Sequence, residues 1–148
     1  MARAGARAPL CGGLLVGGAS RRMGTPKQLL EIGGRALGEI VATALAPHVE
    51  TLCLLGDGEV PPELAGLPRL ADLPGIGGPL AGMLAALRAR PGDGWLVAAC
   101  DQPGLTPEAV AWLVARRGEG ELAVLPRRAP GRVEPFPGID EAAAEPEL

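Results

Sequence analysis

Short apolar runs alternate with segments of helical periodicity along most of the chain. Three such runs cover residues 10–16, 51–55 and 95–100. Each run is too short for an average helix, and its continuous apolar character is typical of a strand buried on both faces. Residues 69–71 and 122–125 are shorter strand candidates. The pattern therefore predicts several strands separated by long connections.

The connections carry helix signals. Residues 36–46 form one plausible helix, and residues 79–90 form another. In the second helix the apolar positions that share one face are Leu80, Met83, Leu84 and Leu87. Thr106 resembles an N-cap with Pro107 at the first helical position, so a third helix is predicted from there to about residue 117. Strands that alternate with helices predict an α/β fold with a mainly parallel sheet covered on both faces.

The length of 148 residues is suited to a single domain, residues 1–148. The segment from Pro126 onward is rich in Pro, Gly, Ala and Glu, which predicts a loosely ordered tail over residues 126–148.

Composition excludes several classes of function. A formal net charge of −3 argues against a general nucleic-acid binder, which would show a basic excess. No apolar run approaches the ~20 residues of a membrane span, and the N-terminus is a poor secretory signal. The three cysteines have no CxxC spacing and lie in apolar segments, which predicts buried thiols in a reducing compartment. These features together predict a cytoplasmic protein.

A glycine-rich stretch follows the first predicted strand and reads GGASRRMGTPK, residues 17–27. It contains the only lysine and the only serine of the chain. Gly17 and Gly18 let backbone N–H groups approach a phosphate, while Arg22 and Lys27 can neutralise a triphosphate. The alternative is a plain glycine-rich turn with solvated arginines. The Walker pattern GxxxxGK[ST] and the dinucleotide pattern GxGxxG are both absent from the stretch.

Two aspartates are predicted at the same edge of the sheet, because ligands bind beyond the carboxyl ends of parallel strands. Asp101 directly follows the apolar run at residues 95–100, where a carboxylate can hold Mg²⁺ together with substrate phosphates. Asp72 is a weaker candidate. For both residues the alternative is a role in a turn or cap. No Ser–His–Asp or Cys–His set indicates covalent catalysis.

Three motifs together resemble a known family. The stretch at residues 17–27 is similar to the GGxSxRMGxxK signature of molybdenum cofactor guanylyltransferases and related nucleotidyltransferases. GPLAG at residues 78–82 and CDQP at residues 100–103 resemble two further elements of that family, in the same order. The resemblance implies a three-layer α/β/α, Rossmann-like nucleotidyltransferase fold. It also implies transfer of GMP from GTP to molybdopterin with release of pyrophosphate.

The resemblance also assigns roles to single residues. Arg22, Lys27 and Asp101 would act in catalysis, and Asp101 would hold Mg²⁺. The residues implied to bind the nucleotide, by backbone or side chain, are Leu15, Val16, Gly17, Gly18, Lys27, Asp72 and Asp101.

Several alternatives stay open at this point. The sequences TPKQLL and DQPGLTP are closer to a cytidylyltransferase branch, and family members often carry Asn after the second strand, where this chain has LGD. CTP could therefore replace GTP, another phosphate could replace molybdopterin, or the chain could be a non-catalytic nucleotide-binding homologue. The chain is also short at the C-terminus relative to the family, which leaves room for a homo-oligomer or a pathway partner.

Overall fold

A computed structural model describes residues 8–17, 25–100, 102, 104–117, 123–129, 132–133 and 136–141. Three of the predicted site residues, Gly18, Arg22 and Asp101, lie outside this described part of the chain.

The described ranges contain ten strands and three α-helices. The strands are β1 (Leu10–Leu15), β2 (Glu31–Ile32), β3 (Arg35–Ala36), β4 (Leu52–Leu55), β5 (Arg69–Leu70), β6 (Gly94–Ala99), β7 (Ala123–Val124), β8 (Arg127–Ala129), β9 (Arg132–Val133) and β10 (Gly138–Asp140). The helices are α1 (Leu37–Leu45), α2 (Pro79–Ala89) and α3 (Pro107–Val114). Short 3-10 turns cover Lys27–Leu29, Ala46–His48 and Pro62–Leu64.

Six of these strands form the central sheet, in the order β5-β4-β1-β6-β10-β7. β5, β4, β1 and β6 run parallel to one another, and β10 is antiparallel to both β6 and β7. β1 is central and pairs along its whole length with β6, from Leu10 opposite Gly94 to Leu15 opposite Ala99. The carboxyl ends of the parallel strands therefore meet at one edge.

Side chains alternate between the two faces of the sheet, as a strand period of two requires. On one face Leu14 and Leu96 pack in a core with Val41 of α1 and Leu113 of α3. On the other face Cys11, Trp95 and their neighbours pack against α2. Helices thus cover both faces, which confirms the predicted three-layer α/β/α fold with a mainly parallel sheet.

The first two helices and most predicted strands lie within a residue or two of the observed ones, whereas α3 ends at Val114, three residues before the predicted end near residue 117. The predicted cap at Thr106 is present, because the backbone N–H of Ala109 donates to its Oγ1 at 3.1 Å. The thiols of all three cysteines are buried, as expected.

The prediction for residues 126–148 does not hold for Gly138–Asp140. This segment is β10, which lies between β6 and β7 in the sheet with Ile139 fully buried. Its backbone is satisfied by ladder hydrogen bonds to strands far away in sequence, so its composition gave no local signal for the pairing. β8 and β9 form a separate two-stranded sheet within the same segment.

Across the described ranges, none of the helices combines the length and the apolar character needed to cross a membrane.

Candidate nucleotide-binding site

The site is built on the carboxyl ends of β1, β4 and β5. The N–H of Val16 donates to the carbonyl of Leu55 at 2.9 Å, so pairing of β1 with β4 continues one residue beyond β1. The N–H of Gly56 in turn donates to the carbonyl of Leu70 at 2.9 Å. These bonds fix the point at which the glycine-rich stretch leaves the sheet, with Gly17 exposed at the edge.

Val16 and Leu15 face the protein interior. The Val16 side chain is fully buried in the core beneath α1 and α3, and Leu15 packs against the core beneath α2. Any contact of Val16 with a nucleotide would therefore be made through its backbone, as the family resemblance implies.

Asp72, the weaker of the two aspartate candidates for this edge, lies near Gly17. A Cβ atom placed on Gly17 would lie 3.8 Å from Oδ2 of Asp72. A Cβ atom on Gly82, in the first turns of α2, would lie 3.4 Å from Oδ1 of the same carboxylate. The exposed Asp72 carboxylate therefore lies between the start of the glycine-rich stretch and α2. The last glycine of the GPLAG sequence is the small residue that leaves room for it.

Lys27 is placed at the opposite end of the stretch. It begins the 3-10 turn Lys27–Leu29 and is exposed. The N–H of Leu37 donates to the carbonyl of Leu30 at 2.7 Å, which ties the end of this turn to the start of α1. The lysine thus extends from a fixed piece of backbone.

A second loop, residues 56–59 after β4, packs directly on the glycine-rich stretch and is called the β4 loop below. Gly56 has φ +108°, and a Cβ there would lie 3.1 Å from the backbone N and Cα of Gly17. A Cβ on Gly58 would lie only 1.8 Å from the carbonyl oxygen of Val16. Two backbones therefore meet where side chains do not fit. The sequence analysis noted this loop only because it lacks the Asn that family members often carry there.

Gln28 is a site residue that the sequence analysis missed. It is 2% exposed, and its Nε2 donates to the carbonyl of Glu59 at 2.7 Å. Its Oε1 accepts from the thiol of Cys100 at a donor–acceptor distance of 3.7 Å. One side chain therefore connects the turn of Lys27, the β4 loop and the end of β6. The available signal was weak: a polar residue directly before Leu29 and Leu30.

Arg69 is a second missed residue. From β5, its Nη1 donates to the carbonyls of Gly56 and Gly58 at 2.8 and 2.9 Å. The β4 loop is thus held by Arg69 on two carbonyls and by Gln28 on a third.

The end of β6 is also fixed at the residues on either side of position 101. Cys100 is buried and donates to Gln28, and Nε2 of Gln102 donates to the carbonyl of Phe136 at 2.5 Å. The described residues include no cluster of three His, Cys, Asp or Glu side chains suited to a metal ion.

Comparison with known proteins identifies the family. The model described as "MobA-like NTP transferase domain" matches residues 12–147. The chain belongs to this family. A molybdenum cofactor guanylyltransferase of Cereibacter sphaeroides is 41% identical over 145 residues, covering 94% of this chain and 72% of that protein.

Two other relatives of this MobA-like chain are longer. A probable molybdenum cofactor guanylyltransferase of Pelotomaculum thermopropionicum is 38% identical over 116 residues, covering 78% of this chain and 56% of that protein. A molybdenum cofactor biosynthesis bifunctional protein of Synechocystis is 36% identical over 118 residues, again 78% of this chain but 34% of that protein. The chain thus spans just over half the length of the Pelotomaculum protein and about a third of the Synechocystis protein.

Solved structures support the same assignment. Molybdopterin-guanine dinucleotide biosynthesis protein A from Archaeoglobus fulgidus has a TM-score of 0.70 and 26% identity, covering 93% of this chain and 70% of that one. The 2-C-methyl-D-erythritol 4-phosphate cytidylyltransferase of Thermus thermophilus has a TM-score of 0.57 and 23% identity, covering 96% of this chain and 74% of that one. At that identity the second likeness shows the nucleotidyltransferase fold alone.

Proposed function

We propose that this chain is a Mg²⁺-dependent nucleotidyltransferase that transfers GMP from GTP to molybdopterin in molybdenum cofactor biosynthesis. The observation that carries the proposal is the convergence of Gly17, Asp72 and the glycine-packed β4 loop at the carboxyl edge of a MobA-like sheet. The 41% identity to a molybdenum cofactor guanylyltransferase supports the choice of donor and acceptor.

The reaction needs alignment and charge neutralisation rather than a protein nucleophile. A phosphate monoester oxygen of the acceptor attacks the α-phosphorus of GTP, an O–P bond forms, and the bond to pyrophosphate breaks. Backbone N–H groups at Gly17 and Gly18 would cradle phosphate oxygens. Lys27 and Arg22 would compensate the charge that develops on the leaving pyrophosphate.

The chemistry of the edge fits a hard cation. The exposed group beside Gly17 is the Asp72 carboxylate, an oxygen donor of the kind that Mg²⁺ prefers together with substrate phosphates. Asp101, the next residue in sequence after Cys100, would be its main protein ligand. Bound Mg²⁺ would neutralise and orient the triphosphate.

A cytidylyltransferase is the second candidate, because the β4 loop carries Asp57 rather than Asn and the chain contains the QLL and DQP sequences. Transfer to another phosphate acceptor and nucleotide binding without catalysis are the remaining alternatives. A cytoplasmic location, Mg²⁺ as the metal and the oligomeric state belong to the same proposal.

One experiment separates these candidates. The purified chain is titrated calorimetrically with GTP, CTP, ATP and UTP in the presence of Mg²⁺, and pyrophosphate release is then measured with molybdopterin as acceptor. We expect GTP to bind most tightly and to support release only when molybdopterin and Mg²⁺ are both present. Preference for CTP would replace the guanylyl assignment. Binding without release would indicate the non-catalytic homologue, and no binding at all would overturn the proposal.

A further inference from the structure

Gln28 joins the phosphate side of the site to the β4 loop. We propose that Gln28 is a positioning residue: its buried amide sets the turn that carries Lys27 against the β4 loop, so that nucleotide affinity depends on it. This inference rests on the function proposed above and adds a residue that acts through its neighbours.

The amide of Gln28 is buried, and its desolvation is unfavourable unless both of its polar atoms form hydrogen bonds. At 2% exposure, Gln28 has exchanged water for two protein partners, the carbonyl of Glu59 and the thiol of Cys100. A buried polar group that loses its partner is penalised by the cost of its desolvation. The side chain is therefore held in one arrangement rather than several.

The space around Gln28 is also closed. A Cβ on Gly38 of α1 would lie 3.2 Å from both Cβ and the carbonyl oxygen of Gln28. A Cβ on Gly58 would lie 2.7 Å from Nε2 of Gln28. Two glycines thus admit the residue from opposite sides. The backbone of Gln28 lies close to α1, and its amide lies close to the β4 loop.

The consequence falls on the neighbouring residues. Lys27 precedes Gln28 directly in the 3-10 turn, so the direction in which the lysine leaves the backbone is set by the anchor next to it. The β4 loop touches Val16 and Gly17 through its own backbone. Loss of the amide would therefore loosen both sides of the nucleotide site together.

Gln28→Met tests this, because methionine has a similar volume and cannot make the two hydrogen bonds. We expect Kd for GTP with Mg²⁺ to rise roughly 5- to 10-fold, the effect of about one neutral hydrogen bond. KM for GTP should rise more than kcat falls. Gln28→Glu keeps the shape and the acceptor for Cys100 but removes the donor to Glu59, and it should weaken binding as well.

The double variant with Lys27→Ala distinguishes positioning from general destabilisation. Because Gln28 acts partly through Lys27, Gln28→Met should raise Kd by a smaller factor in the Lys27→Ala background than in the unaltered chain, so the two effects are not additive. Arg116→Met is the control for the loss of one positive charge. Arg116 follows the end of α3 and stacks over the Trp112 ring. This variant should leave Kd unchanged.

Each outcome bears on a different claim. Failure of the unaltered chain to bind any nucleotide would overturn the proposed function and this inference with it. Normal GTP binding by a folded Gln28→Met protein would overturn the inference alone. Full additivity with Lys27→Ala, or loss of the thermal unfolding transition in both Gln28 variants, would show a purely structural residue and would also overturn it.

Discussion

At Gly58 the β4 loop and the first strand meet through their backbones, with no room for a side chain. Gly58→Ala would place a Cβ 1.8 Å from the carbonyl oxygen of Val16, so one of the two backbones must move. Overpacking of this kind costs roughly 1–3 kcal/mol, and more where the obstacle is backbone. We expect a lower free energy of unfolding in urea and weaker GTP binding.

Gly66→Ala is the matched control for this change, because a Cβ there would meet no atom within 4 Å. It should leave stability and affinity close to those of the unaltered protein. Equal stability of the Gly58 and Gly66 variants would contradict the close approach of the two loops.

Under the proposed function, Lys27 neutralises part of the charge of the triphosphate. Lys27→Ala should weaken GTP binding by ~1.5–3 kcal/mol, the range for hydrogen bonds to charged groups. The fold should survive because the side chain is exposed. Calorimetric titration checks the prediction, with Arg116→Met as the control for loss of one positive charge. An unchanged GTP affinity in the folded variant would contradict a phosphate-binding role for the glycine-rich stretch.

The residues that sequence reasoning could find were those whose chemistry is local. Lys27 was singled out by its type and its glycine-rich context, and Asp72 by its place after a strand. Gln28 and Arg69 could not be found in this way, since their partners lie 31 and 13 positions away. Their roles depend on which loops the fold brings together.

At the scale of elements, strands and helices with strong periodicity were predictable. β1, β4 and β6 are continuous apolar runs, because helices bury them on both faces. β10 was not predictable. It has three residues, begins with Gly138, ends with the buried Asp140, and is stabilised by antiparallel pairing with β6. Pairing between distant segments is a property of the whole fold, and composition alone suggested a loose tail.

The capped start of α3 gives a test at this scale. The bond from the Ala109 N–H to Oγ1 of Thr106 satisfies one of the otherwise unpaired donors of the first turn. Thr106→Ala should lower the free energy of unfolding by about 1 kcal/mol. Thr106→Ser keeps the hydroxyl and should retain most of the stability. Denaturant unfolding of the three proteins checks this, and equal losses for Ala and Ser would show that the hydroxyl does not cap the helix.

At the scale of the whole molecule, the carboxyl and amino ends of the parallel strands differ in structure. The carboxyl edge carries loops, glycines and the exposed Asp72 and Lys27. The opposite edge is fastened by Arg117, whose guanidinium bonds both carboxylate oxygens of Glu141 at 2.7 and 2.9 Å and donates to the carbonyl of Ala8 at 3.1 Å. The start of the described chain, the end of α3 and the end of β10 are thereby joined. Arg117 therefore ties together the edge of the sheet at which no substrate is expected.

Asp140 lies beside this clamp and makes stability depend on pH. It is 6% exposed, and burial, with a smaller contribution from the charge of Glu141, raises its pKa from 3.8 to about 6. The folded protein therefore binds more protons at this group than the unfolded chain does between pH ~4 and ~6. Its contribution to stability is greatest below pH ~4, falls as the pH rises through that window, and stays low above pH ~6.

Asp140→Asn removes the buried charge and should abolish the decrease in stability between pH ~4 and ~6. The variant should be more stable than the unaltered protein at pH 7.5, by up to roughly 3 kcal/mol for a shift of about two pKa units. The advantage should shrink steadily as the pH is lowered from 6 to 4. Glu63→Gln, at an exposed carboxylate in the turn Pro62–Leu64, controls for loss of one negative charge. Urea unfolding at several pH values measures the difference between variant and unaltered protein, so that the other titrating groups cancel. A difference that is the same at pH 4 and pH 7.5 would show that Asp140 is not desolvated in the folded sheet.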